Sequence, residues 1–304
     1  MLYKEWLELW LENYVKPVIK SRSYLKYKRD VEIHIIPSLG KYELEELTPL
    51  VLQKFTVELA NKKLATGTIN GIISVLKNSI KSAINAEITV KNYTNSIIRP
   101  KICEKQVDSF SKQEQEKIEK YILNKRDFKL FGIIICLYTG LRIGELLSLT
   151  WSDIDFKKKI LIVNKTCMDS WKNGKYVKIL DKPKTENSNR IIPLSKSILE
   201  ILKEIKKAST NDFIVPASSK YGVGVRSYQR TFDNLLKKLK IEHKGFHSLR
   251  HTFATRAIEC GMNVKCLSEI LGHKNPTITL KRYAHSMLEY KTEMMNKIGK
   301  ILCI

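Results

Sequence analysis

The chain lacks any apolar run near the roughly 20 residues that a membrane-spanning helix needs. Its start, MLYKEWLELW, lacks the layout of a signal peptide. Its six cysteines form no close pairs, and its six histidines form neither an HExxH pattern nor a finger spacing with cysteine. These absences predict a cytoplasmic protein with reduced thiols, no metal and no cofactor.

Acidic residues are few relative to basic ones. The 54 Lys and Arg against 31 Asp and Glu give a formal net charge of +23. Residues 1–100 carry +5 of this surplus and residues 101–304 carry +18. A surplus of this size favours a polyanionic partner, and nucleic acid is the leading candidate.

Apolar periodicity and breakers predict an amino-terminal helical domain over residues 1–88. Its first helix would place Trp6, Leu9, Trp10, Asn13 and Tyr14 on one face. Further helices are predicted over 23–36, 48–61 and 66–86. The helix over 48–61 would have Thr48 as N-cap and Pro49 in its first turn. Residues 89–107 are polar, basic and broken by Pro100, so we predict a linker there; an ordinary surface loop is the alternative.

Residues 108–304 predict a mainly α domain with a small antiparallel β-sheet. Ser111 and Glu114 form a capping-box pattern at its first helix. Residues 128–138 are apolar enough for a buried helix. Strand-like runs follow at 159–164, 175–180 and 190–193, and helices resume near Ser195.

Two groups of residues could carry chemistry. His247 and Arg250 are three apart on one face of a helix whose start suits a phosphate, although an HxxR pair alone is more often a surface or core pair. Farther on, Gly272 predicts a helix end just before His273, and Asn275 caps a helix that carries Tyr283. Tyr283 could instead simply pack, and residues 261–283 could be a helix-turn-helix in a DNA groove.

Two more candidates lie upstream. Arg142 follows the buried helix, and Glu145, one turn later, can orient its guanidinium. The alternative is a helix-capping arginine with a local salt bridge. Lys184 lies in a basic turn between strand-like runs, and alone it would be only a solvated lysine.

Taken together, these motifs resemble the tyrosine recombinases, the phage integrase family, over nearly the whole chain. The matching positions are Arg142 in TGLR-x-x-E-L, Lys184 in P-K-T ahead of R-x-I-P-L, His247 and Arg250 in H-x-L-R-H, His273 in L-G-H, and Tyr283 in Y-A-H. All six positions carry the expected residue type.

The resemblance implies a metal-free reaction in which Tyr283 forms a 3'-phosphotyrosyl intermediate with DNA. Arg142 and Arg250 would grip the nonbridging phosphate oxygens, with a hydrogen bond from His273. His247 would act as base or proton relay, and Lys184 would protonate the departing 5'-oxygen. Glu145 would orient the guanidinium of Arg142 without contacting the DNA.

The resemblance also implies a core-binding domain at 1–88 joined by the basic linker to a catalytic domain at 108–304, forming a clamp around double-stranded DNA. The candidate DNA contacts are Lys26, Lys28, Arg29, Lys91, Arg99 and Lys101. A homo-tetramer would form on two DNA sites, weakly associated or monomeric without DNA. The tail 287–304 would pack onto a neighbour, and the alternative is a helix that closes its own domain. An accessory directionality factor and a location in the bacterial cytoplasm or nucleoid fit the same implication.

Within this family, the chain resembles the integrases of conjugative transposons, many of which carry an additional arm-site-binding domain ahead of the core-binding domain. This chain begins too late for one, which favours a simpler recombinase, an invertase or an expressed fragment. We therefore expect a site-specific recombinase that integrates, excises or inverts DNA. Type IB topoisomerase-like relaxation and a catalytically idle DNA-binding regulator are the alternatives.

Overall fold

The computed structural model describes residues 1–89, 92–101, 108–172, 175–181, 189–209, 211–216, 222–273, 275–277, 292, 295–300 and 302. The chain divides into two compact units, Met1–Lys105 and Gln106–Ile304. Within the described ranges, no helix is both long and apolar enough to cross a membrane.

The first unit is helical. Its helices are α1 (Tyr3–Trp10), α2 (Ser21–Asp30), α3 (Ile36–Leu39), α4 (Pro49–Asn61) and α5 (Thr66–Asn85). A π-helical turn, Val31–Ile35, joins α2 to α3, so the helix predicted over 23–36 begins earlier and runs farther. At the start of α4, the Thr48 hydroxyl accepts a hydrogen bond from the Val51 amide at 3.4 Å, which confirms the predicted cap.

The buried face of α1 differs from the prediction by one position. The side chains that enter the core are Tyr3, Trp6, Leu7, Trp10 and Leu11. Leu9 and Tyr14 are instead 40% and 44% exposed. Because α1 carries two overlapping apolar stripes, periodicity alone does not select the buried one. The contact with α5 determines which stripe of α1 is buried: the Trp6 indole donates a hydrogen bond to the Ser79 carbonyl at 3.0 Å.

The second unit combines helices with two small antiparallel sheets. Its helices are α6 (Lys112–Lys125), α7 (Phe131–Thr139), α8 (Ile143–Ser148), α9 (Lys196–Ala208), α10 (Val225–Lys238), α11 (His247–Glu259) and α12 (Val264–Leu271). Its strands are β1 (Ile154–Asp155), β2 (Ile160–Val163), β3 (Thr166–Lys172), β4 (Lys175–Asp181) and β5 (Arg190–Pro193). Strand β2 pairs with β1 and β5, and β3 pairs with β4 as a separate hairpin.

This architecture confirms the predicted fold class. The predicted strand-like runs overlap β2, β4 and β5, and Ser111 and Glu114 form the expected reciprocal capping bonds at 3.1 and 2.8 Å. Strand β3 was not predicted, because its sequence TCMDSWK has no regular apolar alternation. It is a strand because it pairs with β4 along its whole length.

Helix α7 forms the centre of the second unit. Its residues are apolar on all sides, and all of them except Tyr138 are buried. Helices α6, α8, α9 and α11 pack against it. Two of these helices hold predicted site residues: α8 begins directly after Arg142, and α11 contains His247 and Arg250. Both helices therefore pack against the same support, α7.

The contact between α1 and α5 gives a stability prediction. The Ser79 hydroxyl donates to the Leu76 carbonyl at 2.9 Å and hydrogen-bonds the hydroxyl of the fully buried Tyr3. Ser79→Ala leaves the Tyr3 hydroxyl without this partner, so we expect it to lower the free energy of unfolding by about 1–3 kcal/mol. Urea unfolding of the full chain measures this change. Adding Tyr3→Phe to Ser79→Ala should recover part of the loss; further destabilisation would contradict the assignment.

Candidate active site

Arg142 is held at a sharp junction between α7 and α8. Helix α7 ends at Gly140, whose φ of +65° lies in the left-handed region. A Cβ at this position would come within 2.6 Å of the Phe253 ring and 2.7 Å of the Leu271 side chain. Both the conformation and the packing therefore require glycine, and Arg142 follows two residues later at the start of α8.

The carboxylate of Glu145 fixes Arg142. It accepts a hydrogen bond from the Arg142 guanidinium and another from the Arg142 backbone amide, both at 2.8 Å. The Glu145 side chain is only 5% exposed, whereas that of Arg142 is 38% exposed. The predicted pairing is thus present, and its geometry leaves Arg142 accessible to a ligand.

A second arginine, Arg190, shares the same carboxylate. Its guanidinium donates to the two Glu145 oxygens at 3.1 and 2.8 Å, and its Nε donates to the Ile270 carbonyl at 2.6 Å. Burial alone would raise the pKa of the carboxyl, but the hydrogen bonds and charge of Arg190, followed by the charge of Arg142, lower the pKa of Glu145 to about 2. Sequence reasoning missed Arg190, although R-x-I-P-L was among the matching motifs.

Arg250 connects three parts of the site through backbone carbonyls. Its side chain is buried, and it donates to the carbonyls of Gly140 at 2.7 Å and Leu271 at 2.6 Å. Gly140 lies two residues before Arg142, and Leu271 lies two residues before His273. The segments that carry Arg142, Arg250 and His273 therefore converge.

The two predicted histidines lie at helix ends. His247 is exposed in the first turn of α11, and its ring meets that of His251 edge-on at 4.6 Å. Gly272 ends α12 in the predicted left-handed conformation, and His273 follows it half-buried. His247 precedes Arg250 by one turn of α11, so it lies at the end of the site where that helix begins.

The remaining predicted residues of the site, Lys184 and Tyr283, lie outside the described residues, as does Lys91. The nearest described residues on either side of Lys184 are Asp181, which ends β4, and Asn189, which directly precedes β5. Beyond His273, the Asn275 side chain accepts a hydrogen bond from the Thr277 amide at 2.9 Å, as a helix cap requires.

The tail predicted to pack as a helix is described only in part. Ile298 and Leu302 are 46% and 62% exposed, whereas Met294 and Ile301 lie outside the described residues. Packing of this tail, in cis or in trans, stays a prediction.

The β3–β4 hairpin is attached to helices of the same unit by two charged residues that sequence reasoning missed. The Asp169 carboxylate accepts from the Val225 and Arg226 amides, both at 2.9 Å, where α10 begins. Lys178 donates to the Leu147 carbonyl at 2.7 Å, and burial lowers its pKa. Their partners are backbone groups far away in the sequence, so no local sequence motif predicts these contacts.

The candidate DNA contacts of the first unit are basic but partly paired. Lys26 lies 2.7 Å from the buried Asp30 carboxylate, and Lys28 lies 3.7 Å from Glu32. The other described candidates are Arg29, which lies 3.9 Å from Asp30, Arg99, which donates to Ser74 at 3.4 Å, and the exposed Lys101. The exposed Lys28–Glu32 pair is of a weak kind, so a phosphate can compete for Lys28, whereas Lys26 and Arg29 lie beside a buried carboxylate.

The family of the chain follows from comparison with known proteins. The phage integrase family matches residues 102–289, more than half of the chain. The phage integrase N-terminal SAM-like domain matches residues 2–60. The chain belongs to the phage integrase family, the tyrosine recombinases.

Individual relatives are similar over nearly the full chain. A tyrosine recombinase XerC-like protein of Caldanaerobacter subterraneus subsp. tengcongensis is 29% identical over 97% of this chain and 82% of its own length. The transposase of transposon Tn916 from Enterococcus faecalis is 26% identical over 95% and 76%. The structure of the Tn1549 transposon integrase in complex with transposon right end DNA covers 98% of this chain and 100% of its own, with a TM-score of 0.83 and 25% identity.

The buried Glu145 predicts an acid-dependent stability. Because its folded pKa is lowered to about 2 from an ordinary 4.5, its contribution is complete above about pH 4.5 and is lost as the pH falls towards 2. At pH 7, Glu145→Gln should cost about 3–5 kcal/mol, since Arg190 is left buried without a counterion. Urea unfolding from pH 7 to pH 3 should show this difference shrinking below pH 4.5.

The matched control for that measurement is Glu116→Gln, which removes an exposed partner of Lys120 at 3.8 Å. It should cost less than about 1 kcal/mol at every pH. A difference between Glu145→Gln and the wild-type chain that stays constant down to pH 3 would refute the proposed ion pairing.

Proposed function

We propose that this chain recombines DNA at specific sites by cleaving and rejoining it through a 3'-phosphotyrosyl intermediate on Tyr283. The observation that carries the proposal is the convergence of the Arg142, Arg250 and His273 segments in a chain of the tyrosine recombinase family. The relatives named as a tyrosine recombinase and a transposase, and the related transposon integrase seen with DNA, support it.

The proposed chemistry follows from the demands of a phosphodiester. Its negative charge repels a nucleophile, so the site must neutralise the nonbridging oxygens as the transition state develops. Arg142 is exposed enough to reach such an oxygen while its carboxylate partner stays buried. We assign the same role to Arg250, and a supporting hydrogen bond to His273.

Proton transfer is assigned to two further residues. His247, exposed at the start of α11, would accept or relay the proton of the Tyr283 hydroxyl. Lys184 would give a proton to the departing 5'-oxygen. The phosphotyrosyl bond retains the energy of the broken phosphodiester, so a 5'-hydroxyl of another strand can reverse the step without ATP.

The alternatives are less well supported. A type IB topoisomerase would share the phosphotyrosyl chemistry, but the relatives are named as recombinases, integrases and transposases. A catalytically idle DNA-binding scaffold would not need an exposed arginine fixed by a buried carboxylate. Recombination is therefore the function that we adopt.

The proposed assembly extends beyond one active site. We propose a core-binding domain at 1–88, a basic linker at 89–107 and a catalytic domain at 108–304, which together clamp duplex DNA. The net charge of +23 supports such phosphate contacts. A tetramer on two DNA sites, helped by the tail 287–304 and a possible directionality factor, completes the proposal.

The nucleophile can be tested directly. Tyr283→Phe removes one hydroxyl and leaves the basic surface intact, so DNA binding should persist while the covalent protein–DNA adduct disappears. The measurement is a denaturing gel after incubation with supercoiled AT-rich plasmid DNA. Tyr290→Phe is the matched control and should form the adduct at wild-type yield. Adduct formation by Tyr283→Phe would refute the assignment of the nucleophile.

The general acid can be tested by changing the leaving group. Lys184→Ala should fail to cleave normal DNA at a position mapped with the wild-type chain, because an alkoxide must then leave unprotonated. A bridging 5'-sulfur gives a thiol leaving group with a pKa of about 8.5, which departs as the anion near neutral pH. Cleavage by Lys184→Ala should therefore be restored on the sulfur substrate.

Two controls show whether this rescue is specific. Arg142→Ala should gain little from sulfur, because its defect would be charge neutralisation rather than proton donation. Lys182→Ala should need no rescue. Rescue of Lys182→Ala in place of Lys184→Ala would move the general acid to Lys182.

A further inference from the structure

Arg190 occupies a position where it can organise the site without touching DNA. Its side chain is only 5% exposed, and its Nε and both terminal nitrogens donate hydrogen bonds. The acceptors belong to two different helices, Glu145 in α8 and Ile270 in the last turn of α12. One guanidinium on β5 therefore joins α8 to α12.

The first of these connections reaches Arg142. Both oxygens of Glu145 accept bonds from Arg190, and the same two oxygens accept bonds from the Arg142 side chain and amide. Arg190 thus fixes the plane of the carboxylate, and the carboxylate in turn fixes the guanidinium of Arg142. A planar, bidentate contact of this kind constrains orientation more strongly than a single ion pair does.

The second connection reaches His273. The Ile270 carbonyl accepts from Arg190, and His273 follows after the left-handed turn at Gly272. The strand that carries Arg190 also begins six residues after Lys184 in the sequence. Arg190 therefore anchors the two segments that present Arg142 and His273, and it is close in the chain to a third predicted site residue.

Charge gives Arg190 another effect on the site. If Arg142 were the only partner of Glu145, the carboxylate would neutralise the arginine that has to meet the phosphate. With Arg190 present, two guanidinium groups share the Glu145 carboxylate, so Arg142 does not take up its whole charge. Because Arg190 is buried and Arg142 is 38% exposed, Arg142 is the guanidinium of the two that a phosphate can reach.

We propose that Arg190 is a positioning residue for DNA cleavage, which orients Arg142 through Glu145, keeps the charge of Arg142 available and ties the His273 segment to the same point. This inference rests on the proposed function of the site. It predicts that loss of Arg190 slows the cleavage step and leaves DNA affinity almost unchanged, since the buried guanidinium meets no phosphate.

The test separates cleavage from binding in the 304-residue chain. The cleavage rate is the rate of covalent adduct formation on supercoiled AT-rich plasmid DNA at saturating protein, and affinity is measured on the same DNA. Arg190→Gln should lower the cleavage rate about 10- to 100-fold, the loss typical when a residue that orients a metal ligand is removed, since Arg190 orients Arg142 in the same indirect way. Its dissociation constant should stay within about threefold of wild type. Arg190→Lys, which keeps the charge but not the planar fork, should recover part of the rate.

Arg256→Gln is the matched control for a purely structural loss. Arg256 also holds a carboxylate, that of Glu259, through two hydrogen bonds of 2.6 Å, and it donates to the Phe110 carbonyl at 2.9 Å. These partners of Arg256 lie outside the Arg142–Glu145–Arg190 cluster. This variant should lower the thermal unfolding midpoint while the folded protein cleaves at the wild-type rate.

The outcomes are distinct. Equal cleavage rates for Arg190→Gln and Arg256→Gln at matched stability, or a loss confined to DNA affinity, would overturn the positioning role. If Arg190→Gln does not fold, Arg190→Lys decides: a reduced rate with unchanged affinity supports the role, and a wild-type rate overturns it. Failure of the wild-type chain to form any adduct would instead refute the proposed function itself.

Discussion

The buried carboxylate of Glu145 is the interaction on which the candidate site depends. Removing a carboxylate from water is costly, and the cost is recovered only when ion pairs and hydrogen bonds satisfy its oxygens. Glu145 meets this condition with two guanidinium groups and one backbone amide. Because these donors hold the carboxylate in place, its position fixes Arg142 relative to the buried end of α7.

The buried arginines solve a second problem, the unpaired carbonyls at helix ends. Helices leave carbonyls without partners in their last turn, and that end carries partial negative charge. Arg250 donates to Gly140 at the end of α7 and to Leu271 at the end of α12, and Arg190 donates to Ile270. The same bonds that satisfy these helix ends bring the site segments together, so stability and positioning share one set of contacts.

The features that could be predicted from the sequence are those set by local spacing. The caps at Thr48 and Ser111, and the pair Arg142 and Glu145, join residues three apart, and a helix brings such residues together by its geometry. The face of α1 was predicted wrongly because two stripes fit the same period. The motif residues Arg142, His247, Arg250 and His273 were identified by resemblance, and their roles stay proposals.

The features that escaped prediction depend on partners distant in the sequence. Arg190 and Glu145 are 45 residues apart, and Arg250 and Gly140 are 110 apart. Neither pair has a spacing that a helix or strand enforces, and three of the acceptors for these arginines, Gly140, Ile270 and Leu271, contribute only their backbone carbonyls. Only the packing of α8, α11 and α12 with β5 makes them neighbours.

Charge therefore acts at two levels in this protein. The net charge of +23 is a property of composition; it favours a polyanion at long range and is screened by salt. At the site, what matters is which positive charges are already paired. Arg190 is buried and paired with Glu145, whereas Arg142 stays 38% exposed beside the same carboxylate. Composition could predict the class of partner, but the availability of one particular guanidinium depends on the fold.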